Sequence, residues 1–269
     1  MKKIILISFI MNAVLYATGA WMWNNRTHGE LKWTTIETEH FNIHYHQNLD
    51  QIALQGASIA EQIRPTLMKQ MGLESLPTLD IIFTAEDEVL NGFAVPANYT
   101  IIWVDQNDAA LWTGDKKWLR TVLAHELQHL VYFNTVKGPW WLPEPMNSLA
   151  HGTPAWIVEG IAEYFTEEWR PFRYELSHRY HVLRNTVHKI QDPHNDGFSK
   201  SLYLADRFGD STIVKILNYR NKLKFLDFKE SFKKHTGITL KQFNEDWRRQ
   251  MNTFYFSQRS QKERLEDAG

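Results

Sequence analysis

The stretch His125-Glu126-Leu127-Gln128-His129 constrains this chain more than any other. It lies in an apolar run from Trp118 to Phe133 with neither Gly nor Pro, long enough to be a helix. A helix turns about 100° per residue, so His125 and His129, four apart, share one face. Two imidazoles one turn apart can ligate one Zn²⁺, and Glu126 beside them can reach a water on that ion. The chain has no cysteine, which excludes a disulfide framework, a thiol nucleophile and a thiolate metal site. Any metal must be held by histidine and carboxylate.

A catalytic zinc takes three protein ligands and leaves one position open. The arrangement H-E-x-x-H-x-x-G-x-x-H does not apply, because Tyr132 stands at its glycine and Thr135 at its last ligand. The other arrangement draws a carboxylate from a second helix, and Trp156-Ile157-Val158-Glu159-Gly160-Ile161-Ala162-Glu163-Tyr164 offers one. Glu159 sits among apolar residues, where an unpaired carboxylate is costly to bury. Glu163, one turn on, can accept the outer N–H of a ligating histidine. The plain alternative is that Glu159 and Glu163 form a solvated helix face. His44 and His46 share a strand face and read as packed or solvated, since no third ligand lies nearby.

The rest of the chain reads as an α+β fold. Lys2 and Lys3, an apolar run from Ile4 to Ala17 and the small residues Thr18-Gly19-Ala20 have the form of a signal peptide, residues 1–20. An uncleaved anchor is the alternative, but the run is short for a span and is interrupted by Ser8 and Asn12. Removing it takes the formal net charge from −1 to −3, with no basic patch of the kind nucleic-acid binders show. A strand-rich lobe, 21–136, follows. It has strands at 40–46, 78–84, 91–95 and 100–104, and a helix at 49–71 that Pro65 is expected to kink or break. A helical lobe, 137–256, opens with a Pro- and Trp-rich loop. Thr153 is the expected cap of a helix from Ala155 to Trp169. Helices at 172–190, 198–208 and 212–219 come next, and a last one opens at the capping box Thr239 to Gln242. Residues 257–269 form a polar tail, expected to fray.

HELQH followed by Trp-Ile-Val-Glu-Gly-Ile-Ala-Glu-Tyr resembles the H-E-x-x-H and W-L-x-E-G-x-A-E-Y pair of gluzincin metallopeptidases. The likeness is to their exported peptidase MA-like group, related to the thermolysin and alanyl-aminopeptidase catalytic domains. Twenty-nine residues separate His129 from Glu159, longer than in the aminopeptidases. The resemblance covers about His40 to Trp247 and implies a zincin-like, two-lobed catalytic domain: a mixed sheet with helices, then a helical lobe. It implies one Zn²⁺ on His125, His129 and Glu159, with Glu126 as general base and Glu163 behind the ligands. It also implies that Gly92, Phe93 and Ala94 form the edge strand along which a peptide substrate lies. In aminopeptidases that strand carries a Glu for the substrate's free amine; Val95 stands there, which favours an endopeptidase. The family's oxyanion donor, a Tyr three residues before a helix-opening Gly, falls at His194. A histidine serves that role in thermolysin; Tyr203 is an alternative donor, and a helix-capping role for His194 another.

The expectation is an exported (periplasmic or secreted) zinc metallopeptidase acting on peptides or proteins, with no nucleic-acid partner and no stable membrane insertion once the signal is cleaved. Two other readings stand beside it. One is a zinc-stabilised, catalytically silent binding or assembly module of the cell envelope. The other is a metal-free core helix, which requires two His and three Glu to find other partners.

Overall fold

Alternation of apolar and polar residues in Phe41–His46 and Leu79–Thr84 produces strands with one face covered and one open. The computed structural model describes residues 30–86, 91–104, 118–139, 141, 151–166, 172–189 and 193–261. The expected signal segment, most of the Pro- and Trp-rich loop and residues 262–269 lie outside these.

Five strands form one mixed sheet: β1 Trp33–Glu37, β2 Phe41–His46, β3 Leu79–Thr84, β4 Asn91–Val95 and β5 Tyr99–Trp103, in the order β1-β2-β3-β5-β4. The central strands β2, β3 and β5 run parallel, and β1 and β4 pair antiparallel at the two edges. Phe41, Ile43, Leu79, Ile81 and Phe83 are buried. On the opposite face Asn42 donates to Asp80 (2.8 Å) and His44 Nδ1 meets the Thr35 hydroxyl (2.9 Å). His46 is buried at the strand end, where Nε2 accepts from the Ala85 N–H (3.1 Å) and Nδ1 faces the Gln47 carbonyl (3.1 Å). Both histidines are therefore engaged in the sheet, as a packed strand requires.

Helix α1, Asp50–Met71, runs through Pro65 without a break and ends at Gly72 in the left-handed conformation (φ 68°). Of the two outcomes expected at Pro65, a break does not occur: proline removes one hydrogen bond, and packing of Ile63, Leu67 and Met71 into the core holds the helix on either side. Helix α2, Trp118–Val136, packs on α1 and behind β4. Arg220 donates to the Thr135 carbonyl at its C-terminus, where a cation is favoured.

The second half is helical: α3 Ala155–Tyr164, α4 Phe172–Leu183, α5 Pro193–Phe208, α6 Ser211–Asn218, α7 Phe228–Thr236 and α8 Leu240–Ser260. Several expected ends move. Pro154, not Thr153, holds the cap position of α3, and α3 stops at Tyr164 rather than Trp169. α4 stops at Leu183, followed by a short 3₁₀ turn at Val187–Lys189. α5 begins at Pro193, so Gly197 lies inside it and does not open it. Residues 257–260, expected in the polar tail, continue α8. One apolar cluster runs without interruption from Phe41 and Phe83 through Leu123, Leu127 and Ile161 to Phe232 and Phe243, joining sheet and helices. Among the described residues no helix is long and apolar enough to cross a membrane.

Candidate metal centre

Three helices bring the site together. Along α2, Trp118, Val122, His125, His129 and Phe133 fall at helical spacing, and all five line one cavity of about 590 Å³. Glu159 and Glu163 reach it from α3, and His194 from the first turn of α5. The separation of α3 and α5 is set by two glycines in contact. A Cβ on Gly160 would lie 2.4 Å from the Gly197 carbonyl oxygen, and one on Gly197 would lie 2.4 Å from that of Trp156. No other residue permits so close a crossing, and it places His194 one turn from Gly197, over the two carboxylates. A buried ion pair within α5 lies beside this contact: Lys200 Nζ is 2.7 Å from Asp196, 5.5 Å from the Trp156 ring centre on α3 and 4.6 Å from the Trp247 ring centre on α8.

The donor atoms converge on Glu159 Oε2. His125 Nε2 stands 3.5 Å from it and His129 Nε2 3.3 Å, and the two nitrogens are 3.1 Å apart. Ligands at about 2.0–2.1 Å from a tetrahedral ion are separated by about 3.3 Å, so the spacing suits a shared cation. Glu159 Oε2 is buried yet accepts no hydrogen bond, a costly arrangement for a carboxylate unless an ion completes it. The residues present therefore fit a divalent metal. Burial disfavours ionisation of Glu159, but the imidazoles of His125 and His129 outweigh it and hold the carboxyl far below the usual carboxylate range. Glu163 is buried behind them, with Oε1 3.8 Å from His125 Nδ1. His194 Nδ1 faces both carboxylates, 3.3 Å from Glu159 Oε2 and 3.7 Å from Glu163 Oε1. One donor atom each of His125, Glu159 and His194 lie within 4.8 Å of one another, so this trio also could hold a metal ion.

Glu126 is buried beside the donors, and burial holds its carboxyl above the ordinary range, with the imidazoles of His125 and His129 offsetting only part. Gly92 on β4 packs directly on it: a Cβ there would fall 2.4 Å from Glu126 Cγ and 2.6 Å from Oε1. Phe93 and Ala94 continue the cavity wall, with β4 the outermost strand on that side of the sheet. The nine residues to which the resemblance assigns a site role border one cavity: Gly92, Phe93, Ala94, His125, Glu126, His129, Glu159, Glu163 and His194. Tyr203 does not; it lies against Phe243, with its hydroxyl on Arg207. Sequence reasoning missed Trp118, Val122 and Phe133 as cavity walls, although their spacing from His125 and His129 places them on the same face. It used Gly197 only as a helix-opening glycine and missed its contact with Gly160.

No protein-family model matches the chain, and no curated protein matches it. Among solved structures, an aminopeptidase N family protein from Idiomarina loihiensis is similar with a TM-score of 0.34 and 12% identity. The match covers 89% of this chain and 46% of that one, so the chain spans about half the length of that protein. So slight a likeness carries no functional weight.

Proposed function

We propose that the protein is an exported zinc-dependent metallopeptidase, acting as an endopeptidase, with Zn²⁺ held by His125, His129 and Glu159. The observation that carries this reading is Glu159 Oε2: buried, without a hydrogen bond, and facing two Nε2 atoms at 3.5 and 3.3 Å. The base, Glu126, follows His125 on α2. When bound, the ion supplies Lewis acidity, polarising a carbonyl and easing deprotonation of water.

The chain's own residues do the rest. Glu126, raised by burial, takes a proton from the attacking water and returns it to the leaving amine nitrogen. Gly92 leaves room for that carboxylate while its strand runs along the cavity, where an extended peptide can add beside β4. Val95, in place of an amine-binding carboxylate, removes the requirement for a free N-terminus. His194 has an N–H that can reach an oxygen as negative charge develops on it. Trp118, Val122 and Phe133 form an apolar wall for a side chain of the substrate. Export rests on Lys2, Lys3 and the apolar run after them.

Glu126→Gln is the direct test, because Glu126 is not a ligand. The variant keeps one zinc per chain and loses hydrolysis of an unstructured protein by about 10²–10⁴-fold. Undiminished cleavage by that variant sinks the mechanism. Zinc at one per chain with no turnover by wild type on any peptide favours the binding module instead.

A further inference from the structure

We propose that His194 is a fourth, displaceable protein ligand of the metal, closing the site in the absence of substrate. This rests on the reading of His125, His129 and Glu159 as a metal centre and deepens it. His194 Nδ1 lies 3.3 Å from Glu159 Oε2, the same oxygen that faces His125 and His129 at 3.5 and 3.3 Å. That is the edge length, about 3.3 Å, expected between two donors on one tetrahedral ion. Donor atoms of His194, His125 and Glu159 also form a trio within 4.8 Å of one another, a looser grouping that does not include His129. The His194 ring stacks on that of His125, 5.6 Å between centroids and 27° between planes, which turns its Nδ1 edge toward the carboxylates.

The backbone and the side chain play different parts. The Gly160–Gly197 contact holds the start of α5 against α3, so the imidazole is delivered to the centre by the helix crossing and not by a loop. The side chain, however, is 43% exposed, against 11% for His125 and 8% for His129. A side chain less enclosed than the two on α2 gives up less packing than they would when it rotates away. A site with four protein donors is closed, and one with three is open to water and substrate. Rotation of His194 exchanges the two, and the released ring is then free to donate its N–H to the substrate oxygen. No bond other than the metal–nitrogen contact is made or broken, and no proton need move.

The test uses the full chain loaded with Zn²⁺, examined by X-ray absorption for the number of imidazoles on the metal, with affinity measured by chelator competition. Wild type is expected to show three imidazoles, and His194→Ala two, with zinc dissociation raised about 10–100-fold and the far-UV spectrum unchanged. Adding free imidazole to His194→Ala restores the third. Stoichiometric zinc with two imidazoles in wild type overturns the fourth ligand and leaves the metal centre intact. Wild type that takes up no stoichiometric zinc overturns both. Because the wild-type imidazole count alone decides the matter, the proposal stays testable even if the variant folds poorly.

Discussion

Two clusters in this molecule are built from the same residue types and differ in how they are satisfied. Near the start of β2, Glu61 on α1 is saturated. Its Oε1 accepts from the Thr38 hydroxyl (2.7 Å) and the His40 N–H (2.9 Å), and its Oε2 lies 2.8 Å from His40 Nδ1. In the cavity, Glu159 faces three imidazole nitrogens at 3.3–3.5 Å, and its buried Oε2 accepts no hydrogen bond. Both carboxyls are held below the usual range, so an easily ionised carboxylate does not tell the two apart. Donor spacing does. Histidine and glutamate within hydrogen-bonding distance of each other form a finished hydrogen-bonded pair. The same groups held slightly farther apart, converging on one point, could hold an ion.

That contrast can be broken at several places. Glu163→Gln, which removes the charge behind His125, is expected to weaken zinc binding by about 10–100-fold in chelator competition, the usual cost of losing an outer-shell partner. The corresponding change in the finished pair, Glu61→Gln, leaves zinc affinity unaltered. Gly197→Ala forces a methyl against the Trp156 carbonyl and is expected to cost about 1–3 kcal/mol in denaturant unfolding. It should also shift His194 relative to Glu159, whereas Gly237→Ala, with nothing near its Cβ, strains only the backbone of a helix end.

The smallest effect belongs to Glu61 and is set by pH. Burial opposes its ionisation, but the hydrogen bonds from Thr38 and His40 prevail, so its carboxyl ionises more readily in the folded chain. A depressed folded value means the stabilisation is fully present above the unfolded glutamate range, near pH 4–5, and is lost as pH falls through the folded value. Wild type should exceed Glu61→Gln by about 1 kcal/mol at neutral pH in urea unfolding. The two curves should converge in acid; a constant gap down to pH 2 would show that the pair acts through shape and not through charge.

Much of the site could be read from the chain because helical periodicity is local. His125, Glu126 and His129 lie on one turn, and Glu159 and Glu163 announce themselves as acids in an apolar helix. Elements without such a pattern stayed hidden. Strand β1 is exposed at Trp33, Thr34, Thr35 and Glu37 and owes its form to pairing with β2, not to an apolar stripe. Helix α7 buries only Phe228, Ser231 and Phe232 among charged residues, although Asp227 caps it, accepting from the Glu230 N–H, and Gly237 ends it. The place of His194 depends on a contact between Gly160 and Gly197, far apart in sequence, and no local rule supplies such a crossing.

On the proposed reading the cavity cluster holds an ion and the β2 cluster does not. Zinc per chain after exhaustive dialysis, measured for wild type, Glu159→Gln and Glu61→Gln, tests it directly. The account predicts one zinc in wild type and in Glu61→Gln, and far less than one in Glu159→Gln. Retention of a full zinc by Glu159→Gln, or none in wild type, would contradict it.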